Sequence, residues 1–375
     1  MIKILELIDG GFLGGGQIHT LSLACGLDKI KFQVEIAAKG GGAFEDAVNN
    51  SGMAFKDIYL PKVLRQKYLK PLIEHCRENK FDIIHTHGGV AGFYGRLLKK
   101  HIPEIKTIHS IHGIHYTNSK NFVKKFISLS IEQYLLKYSD KIICETNTDY
   151  NTALEIKIAT EGKTVIIPNG IDINSFSEIV KKDSEVLKNL GLKETDFVVG
   201  NISRFDVQKN QDLIIKSIPE LLNRYPNMKF VFVGNGNLLE KVKYLSVYLD
   251  VSRSVIFAGE KSNLKDYYSV FDIFVFPTFW EGMPYVLLEA AASSLPVVCS
   301  DIPCLREILT DDSAARFINP RSETELIAAI TDLYENPELR KTLAKNAFNS
   351  VRGYTIENTV SKIEQEYFSV LGIVG

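Results

Sequence analysis

Hydrophobic and polar positions follow one repeating pattern along the chain. Short apolar runs rich in β-branched residues alternate with longer stretches of helical periodicity. This alternation is typical of parallel sheets joined by crossover helices. The predicted strands form one group in each half of the chain. The first group comprises 2–8, 34–38, 81–87, 106–111, 141–145 and 164–168, and the second comprises 197–203, 229–234, 254–259, 272–277, 296–300 and 315–318.

The two groups of strands predict two doubly wound α/β domains. Pro and Gly interrupt the pattern in PNGIDINSF, residues 168–176, and two helical stretches, 323–351 and 356–371, end it. We expect an N-terminal domain of residues 1–170 plus the C-terminal helix at 356–375, and a second domain of residues 171–355. Ligands of open α/β sheets bind beyond the carboxyl ends of the strands, so the chemistry is expected between the domains.

The composition is that of an ordinary globular protein. Hydrophobic residues make up 45% and charged residues 24% of the chain. No apolar run reaches the roughly 20 residues of a membrane span, and MIKILELIDG lacks the features of a signal peptide. The five scattered cysteines contain no CxxC, which argues against a zinc cluster or a disulfide framework. We therefore expect a cytoplasmic protein.

Charge is unevenly distributed between the halves. Residues 1–170 carry 22 Lys and Arg against 17 Asp and Glu, whereas the remainder carries 22 against 28. A basic N-terminal half favours an acidic partner such as phospholipid or a phosphorylated substrate. Segments 62–80 and 118–137 mix Lys and Arg with apolar residues, as crossover helices with a buried side do, and as helices at a membrane surface also do. Peripheral association with the inner face of the plasma membrane is therefore an open alternative.

Three glycines, Gly14, Gly15 and Gly16, follow the first predicted strand. Glycine permits a tight turn and lets backbone N–H groups approach an anion at a helix N-terminus. The stretch matches neither GxGxxG nor GxxxxGK[ST]. A phosphate-binding loop and a plain turn from strand to helix both remain open.

Charged residues follow two strands of the second half. Arg204 and Lys209 lie in SRFDVQKN, where two cations would meet one diphosphate. Glu281 and Glu289 lie eight residues apart in FWEGMPYVLLEA, where Pro284 suits the first position of a helix. Carboxylates placed there would accept hydrogen bonds from sugar hydroxyls. Solvated surface charges are the alternative for both groups.

The histidines suggest a rival function. His85 and His87 alternate on one strand, and His109, His112 and His115 recur at every third residue. Imidazoles at such spacings bind zinc or iron, which would indicate a metal-dependent hydrolase. No HExxH is present, and acidic residues are sparse nearby. Histidines that form local hydrogen bonds are the favoured interpretation.

Taken together, the motifs resemble family 4 of the glycosyltransferases. This family has the GT-B fold, in which two Rossmann-like, doubly wound parallel-sheet domains face one another across a cleft. The resemblance covers nearly the whole chain, and it rests on the order and spacing of its motifs. These are the glycine loop at 14–16, IPNGID at 167–172, Arg204 with Lys209, Gly234 with Gly236, and Glu281 with Glu289 in EGMPYVLLEA.

The resemblance implies a retaining hexosyl- or N-acetylhexosaminyltransferase that uses a nucleotide diphosphate sugar, with UDP as the expected nucleotide. Arg204 and Lys209 would neutralise the departing diphosphate, Glu289 would hold the ribose hydroxyls, and Glu281 would contact the donor sugar. His112 would approach that sugar, completing a catalytic set of Glu281, His112, Arg204 and Lys209. Further donor contacts are expected from Gly15, Gly16, Gly234, Gly236, Gly282, Met283 and Pro284, and acceptor contacts from Gly14, Gly15, Gln17 and His112.

No cofactor or metal is expected. The sequence contains no Asp-x-Asp motif, so fixed cations and helix N-termini would stabilise the leaving diphosphate. Retention without a carboxylate nucleophile fits attack from the front face through an oxocarbenium-like state. The expected acceptor is a glycan or a polyprenyl-diphosphate-linked sugar in the synthesis of cell-surface polysaccharide, and no nucleic acid partner is expected.

The chain departs from the family pattern at two places. The family usually has Gly at the position of Ser294, and a family glycine pair is replaced in IPCLRE, residues 302–307, in which Glu307 keeps an acidic position. The choice of donor is therefore open. A nucleotide-sugar epimerase and a non-catalytic sugar-nucleotide sensor, both compatible with this fold, remain as alternatives.

Overall fold

The computed structural model describes residues 1–63, 65–114, 121–310 and 312–373. His115, one of the candidate histidines, lies outside the described residues. The chain divides into two compact units, one of residues 1–170 with 355–375 and the other of residues 171–354. We call them the N-unit and the C-unit.

Each unit is built on a parallel sheet. The described strands of the N-unit are β1 (Ile2–Ile8), β2 (Phe32–Ala38), β3 (Ala54–Asp57), β4 (Ile83–His87), β5 (Lys106–Ile111), β6 (Lys141–Cys144) and β7 (Thr164–Ile166). Those of the C-unit are β8 (Phe197–Ile202), β9 (Met228–Val233), β10 (Val255–Gly259), β11 (Ile273–Phe276), β12 (Val297–Ser300) and β13 (Arg316–Ile318). The strand orders are β3-β2-β1-β4-β5-β6-β7 and β10-β9-β8-β11-β12-β13.

Helices connect the strands and cover the sheets. Up to the unit boundary they are α1 (Gly15–Gly26), α2 (Ala43–Asn50), α3 (Lys70–Asn79), α4 (Gly88–Leu98), α5 (Phe122–Leu135) and α6 (Asn147–Glu155). The C-unit contains α7 (Ile173–Ser177), α8 (Ser184–Asn189), α9 (Gln211–Arg224), α10 (Leu239–Tyr248), α11 (Lys265–Val270), α12 (Tyr285–Ala292), α13 (Pro303–Ile308), α14 (Glu323–Glu335) and α15 (Pro337–Val351). The chain then returns to the N-unit with α16 (Ile356–Leu371). Among the described helices, none is both long enough and apolar enough to span a bilayer.

The predicted fold class is confirmed, with two local corrections. The strand β3 was missed because it is a four-residue edge strand, AFKD, whose side chains are mostly exposed and show no apolar run. The single helical stretch predicted for 323–351 is wrong, because the chain breaks at Asn336 and Pro337. The Asn336 side chain accepts a hydrogen bond from Leu339 N, and Pro337 occupies the first turn of α15.

Apolar packing ties α16 to the N-unit. Val360, Ile363 and Tyr367 on one face of α16 pack in a core with residues of β1, β2 and β4, including Ile4 and Ile83. Ile363 is fully buried, which stabilises the unit by about 2 kcal/mol relative to an exposed side chain. The last helix of the chain is therefore part of the N-terminal sheet's core.

Ser294 adopts a backbone conformation that favours glycine. It follows α12 with φ of 51°, and its side chain is exposed. A left-handed conformation costs an L-residue about 1–2 kcal/mol, although glycine itself loses more chain entropy on folding. Serine is therefore tolerated at this turn with some strain.

We expect Ser294→Gly to raise the free energy of unfolding by about 0.5–1 kcal/mol, because glycine relieves the left-handed strain. Urea denaturation of the two proteins measures the difference. Ser293→Gly is the matched control and should lower stability, since Ser293 has φ of −76° and its hydroxyl donates to Glu289 O. A Ser294→Gly protein that is no more stable than the wild type would contradict this account.

Candidate active site

Lys209 and Glu281 form a mostly buried ion pair in the C-unit. Lys209 Nζ lies 2.6 Å from Glu281 Oε1, and the two side chains are 15% and 6% exposed. Thr278 Oγ1 donates a second hydrogen bond to the same oxygen over 2.7 Å. The carboxylate is therefore held in one orientation, and Lys209 is a fixed cation rather than a mobile surface charge.

Backbone hydrogen bonds lock the two loops that carry this pair. The loops follow β8 and β11, which are neighbouring strands of the C-unit sheet. Gln208 O accepts from Phe279 N over 2.8 Å. Gln208 Nε2 donates to Trp280 O over 2.6 Å. These contacts bring two sequence-predicted site residues together from positions 72 residues apart.

Arg204 forms its ion pair with a different carboxylate from that of Lys209. Its side chain is 60% exposed, and its Nε donates to Asp206 Oδ2 over 2.6 Å. An exposed ion pair of this kind contributes little to stability. The Arg204 guanidinium is thus free to exchange Asp206 for an incoming anion at little cost.

Glu289 is a buried carboxyl group on α12. It is 6% exposed, and Tyr268 OH donates to its Oε2 over 2.8 Å. Burial raises the pKa of Glu289 from its usual 4.5 to about 7, an effect that the hydrogen bond from Tyr268 partly opposes. The Glu289 carboxyl is therefore poised to change its protonation state near neutral pH.

Gly234 and Gly236 follow β9 and have φ of 133° and 155°. A Cβ at Gly234 would lie 2.2 Å from Ser203 O, and one at Gly236 would lie 2.3 Å from Phe205 O. Glycine is required at both positions because the backbone passes directly against the loop after β8.

The loop before α12 carries the remaining donor-side residues. Gly282, Met283 and Pro284 are buried in the turn that leads into this helix. The helix begins at Tyr285, so the placement of Pro284 as its first residue is wrong by one position, and Pro284 is the N-cap residue. Its extended backbone, with ψ of 122°, keeps it outside the helix.

In the N-unit the glycine loop lies beside His112. Gly14 is the N-cap residue of α1, which begins at Gly15. A Cβ at Gly16 would lie 3.9 Å from His112 Cδ2. Gln17 Nε2 donates to Asp9 O over 2.8 Å and so fixes the loop to the end of β1. The acceptor-side residues predicted from the sequence are therefore brought together.

The described candidate histidines all have hydrogen-bond partners, which lie between 23 and 282 residues away in the sequence. His85 contacts Ser110 and Tyr367, and His109 Nδ1 lies 2.9 Å from Thr86 Oγ1. The other two candidates, His87 and His112, contact each other and also the carboxylates of Glu6 and Glu145 respectively. Potential ligand atoms of two groups, His19 with His87 and His112, and Glu6 with His85 and His87, lie within 4.8 Å of one another.

Several residues of these networks were missed by the sequence reasoning. Thr278, Tyr268 and Asp206 contact predicted residues of the C-unit, and Glu6 and Glu145 contact histidines of the N-unit. Glu6 did offer a signal, because it interrupts the otherwise apolar strand IKILELI. Asp206 and Thr278 lie two and three residues from their partners, whereas Tyr268 and Glu145 have partners that no local pattern indicates.

The raised pKa of Glu289 predicts a pH-dependent stability. Between pH of about 4.5 and 7 the folded state binds more protons than the unfolded state, so the free energy of unfolding falls as pH rises through this window. Over this pH window the free energy of unfolding falls by about 3 kcal/mol. Glu289→Gln keeps an acceptor for Tyr268 and should abolish this component in urea titrations at pH 4.5 to 8. Parallel pH profiles for the two proteins would contradict the assignment.

Two family models match consecutive parts of the chain and together cover most of it. The model described as Glycosyltransferase Family 4 matches residues 13–175, and that described as Glycosyl transferases group 1 matches residues 182–350.

Similar proteins extend over both units. The UDP-Gal:alpha-D-GlcNAc-diphosphoundecaprenol alpha-1,3-galactosyltransferase of Escherichia coli is 26% identical over 381 residues, which cover 99% of this chain and 97% of that protein. The alpha-monoglucosyldiacylglycerol synthase of Acholeplasma laidlawii is also 26% identical, over 81% of this chain and 79% of that protein. The crystal structure of Anabaena HepE in complex with UDP-glucose superposes with a TM-score of 0.86 at 18% identity, covering 98% and 100% of the two chains. With these matches and its two parallel-sheet units, the chain is a glycosyltransferase of the GT-B fold and belongs to glycosyltransferase family 4.

Proposed function

We propose that the protein transfers a sugar from a UDP-sugar, with retention of anomeric configuration, to a polyprenyl-diphosphate-linked acceptor in cell-surface polysaccharide synthesis. The observation that carries the proposal is the buried pair of Lys209 and Glu281 at the carboxyl ends of β8 and β11. The Escherichia coli relative, whose name specifies UDP-Gal and a diphosphoundecaprenol-linked acceptor, supports this choice of substrates.

The C-unit supplies the groups that a UDP-sugar requires. Lys209 and Arg204 would stabilise the negative charge on the leaving diphosphate, as preorganised cations do in place of a metal ion. Glu281 would accept hydrogen bonds from hydroxyls of the donor sugar. Tyr268 engages Oε2 of Glu289, and a ribose hydroxyl would donate to Oε1. We therefore propose transfer without a metal cofactor.

The proposed reaction breaks the bond between the anomeric carbon and the diphosphate oxygen and forms a bond to an acceptor hydroxyl on the same face. The departing diphosphate takes the proton of that hydroxyl, so no protein carboxylate need act as general base. Direct attack by the acceptor on the same face requires no carboxylate nucleophile. Gly14, Gln17 and His112 of the N-unit would contact the acceptor.

An exposed apolar stripe on α5 supports a membrane-bound acceptor. Phe122 and Phe126 lie one helical turn apart, as do Val123 and Ile127, and all four are exposed, Phe122 by 78% and Phe126 by 61%. On the opposite side of α5, Glu132 Oε2 lies 2.7 Å from the fully buried guanidinium of Arg96 on α4. The inner side of α5 is therefore anchored, and the stripe faces solvent.

Lysines surround this stripe. Lys124 and Lys125 lie between its apolar residues, and Lys137 Nζ lies 4.1 Å from the ring centroid of Tyr134 near the end of α5. Apolar side chains flanked by lysines match an anionic bilayer, into which the rings insert while the ammonium groups contact phosphate headgroups. We propose that α5 docks on such a surface. By contrast, α3 in segment 62–80 buries Leu72 and Cys76 in the core.

We expect Lys209→Ala and Glu281→Ala each to lower kcat/KM for sugar transfer by at least about 100-fold, because a fixed transition-state contact is lost. Transfer is measured with UDP-sugars and a polyprenyl-diphosphate-linked acceptor, with EDTA present. Circular dichroism should show that both variants remain folded.

Lys241→Ala is the matched control for this experiment, because Lys241 forms a 2.6 Å ion pair with Asp212 elsewhere in the C-unit. It should transfer sugar at the wild-type rate. Wild-type activity that disappears in EDTA and returns with a divalent metal would contradict metal-independent transfer. Full activity of Lys209→Ala would contradict the proposed site.

We expect the protein to float with vesicles that contain about one third phosphatidylglycerol and to remain unbound with purely zwitterionic vesicles. Phe126→Glu should weaken binding about tenfold or more, because it places a charge in the apolar stripe. The matched control is Tyr248→Glu on α10 of the C-unit, where Tyr248 is 73% exposed, and it should bind as the wild type does. Failure of the wild type to float with anionic vesicles would rule out this surface.

A further inference from the structure

Exposed apolar side chains and lysines meet at one edge of the N-unit sheet. Phe12, Tyr59 and Val63 are 55%, 58% and 59% exposed, and Lys39 and Lys62 are exposed as well. They lie in the loops that follow β1, β2 and β3, which are neighbouring strands of a parallel sheet. Neighbouring strands are about 5 Å apart, so the three loops together span about 10 Å. We call these five residues the rim.

Contacts between the three loops hold the rim together. Gly11 O, in the loop after β1, accepts a hydrogen bond from Phe44 N over 3.1 Å, and a Cβ at Gly42 would lie 2.2 Å from the same oxygen. Gly40 N donates to Asp57 Oδ1 at the end of β3 over 2.7 Å. The loop after β2 is therefore attached to both of its neighbours.

Two of the apolar rim residues lie on backbone that is itself fixed. The Phe12 ring occupies the space that a Cβ would need at Gly10 or Gly14, because its nearest atoms would be 2.7 and 2.9 Å away. The hydroxyl of Tyr94, a fully buried residue of α4, lies 3.0 Å from Val63 O. The loops are thus held in place while the side chains of Phe12 and Val63 face solvent.

The lysines of the rim are available to an anion. Neither Lys39 nor Lys62 forms an ion pair with a carboxylate in the described part of the chain, and Lys39 Nζ lies 6.0 Å from the centre of the Tyr59 ring. Asp57 and Glu45 instead accept hydrogen bonds from backbone N–H groups of the loop after β2. A bound anion would therefore meet two ammonium groups without displacing a carboxylate.

Lys62 reaches the end of β1, although it belongs to the loop after β3. Burial raises the pKa of Asp9, the first residue after β1, and the charge of Lys62 partly opposes that shift. The next helix, α1, begins at Gly15 with no side-chain cap and no acidic residue in its first turn. The positive end of this helix adds to the attraction of the lysines for an anion.

We propose that the rim binds the polyprenyl diphosphate part of the acceptor, with Lys39 and Lys62 at the diphosphate and the three apolar side chains against the adjoining prenyl chain. This assignment rests on the proposed function, because the lipid-linked acceptor is the substrate that carries both groups. The rim is then an acceptor subsite of the N-unit, whereas Lys209 and Glu281 of the C-unit serve the donor.

The chemistry of the rim distinguishes a lipid diphosphate from other ligands. A neutral lipid would cover the apolar side chains but leave both ammonium groups without an anion. A nucleoside diphosphate would meet the lysines but leave the apolar side chains exposed to water. A diphosphate joined to a hydrocarbon chain matches both parts of the rim, and the Asp9 carboxylate would accept a hydrogen bond from a hydroxyl of the attached sugar.

Binding of a short lipid diphosphate tests the rim without any sugar transfer. In isothermal titration calorimetry, farnesyl diphosphate should bind the wild type, and farnesol and inorganic diphosphate should each bind at least about tenfold more weakly. Lys62→Ala should weaken the binding of farnesyl diphosphate about tenfold, because a contact between charges is lost. Val63→Ser should weaken it about threefold, because apolar contact area is lost.

Lys29→Ala and Ile30→Ser are the matched controls. Both residues lie in the turn before β2, at the opposite end of that strand from Lys39, and Ile30 is 88% exposed. Both variants should bind farnesyl diphosphate as the wild type does. Thermal melting establishes that all four variants are folded.

Four results would overturn the assignment of the rim. Three of them are a wild type that does not bind farnesyl diphosphate, equal binding of farnesol and farnesyl diphosphate, and unchanged binding in both Lys62→Ala and Val63→Ser. The fourth is a Lys62→Ala protein that no longer floats with anionic vesicles but binds farnesyl diphosphate normally, which would make the rim a contact with the bilayer.

Kinetics connect the rim with sugar transfer. Lys62→Ala should raise KM for the polyprenyl-diphosphate-linked sugar about tenfold and leave KM for the UDP-sugar unchanged. A higher KM for the UDP-sugar alone would assign Lys62 to the donor and overturn the proposal. A wild type that binds farnesyl diphosphate through the rim but transfers no sugar would instead refute the proposed function, and the site for a lipid diphosphate would stand.

Discussion

A carboxylate buried at the centre of a parallel sheet must be paired, and Glu6 meets this constraint with residues from distant parts of the chain. Leaving such a charge without partners would cost several kcal/mol. Tyr367 approaches it from α16, and His85 and His87 approach it from β4. The apolar packing of α16 against the N-unit sheet therefore also positions the Tyr367 hydroxyl that donates a hydrogen bond to Glu6.

In the C-unit, buried charge is stabilised by an ion pair. Lys209 and Glu281 are both largely removed from water, so each requires the other, and Thr278 holds the carboxylate in place. Under the proposed function, a diphosphate that binds Lys209 would compete with Glu281, and the sugar hydroxyls would compensate Glu281 for the lost contact. A complete UDP-sugar would then satisfy both groups, whereas UDP alone would satisfy only one.

The sequence predicted most of the fold because hydrophobic periodicity is a local property. Apolar runs defined the central strands, but β3 has no such run, and the capping role of Asn336 before Pro337 was not apparent inside a long helical pattern. Charged residues at the ends of strands were identifiable for a similar reason, since Lys209 and Glu281 each follow an apolar strand. Their pairing depends on which strands are neighbours, and spacing along the chain does not specify it.

Hydrogen-bond partners that lie far apart in the sequence could not be predicted from it. Tyr367 lies 361 residues from Glu6, and Tyr268 lies 21 residues before Glu289 on another helix. Arg204 and Lys209 were expected to act on one diphosphate, yet in the structure they have different carboxylate partners, Asp206 and Glu281. These networks depend on tertiary packing, which fixes burial and hence the raised pKa of Glu289 and the lowered pKa of His87.

The central claim of the proposed function is that fixed cations allow sugar transfer with retention and without a metal ion. The anomeric configuration of the product tests it most directly. Transfer from a UDP-α-sugar in the presence of EDTA, followed by measurement of the one-bond carbon–hydrogen coupling at the new anomeric centre, should show an α-linkage. A β-linkage would contradict the account, because it would require attack from the face opposite to the diphosphate.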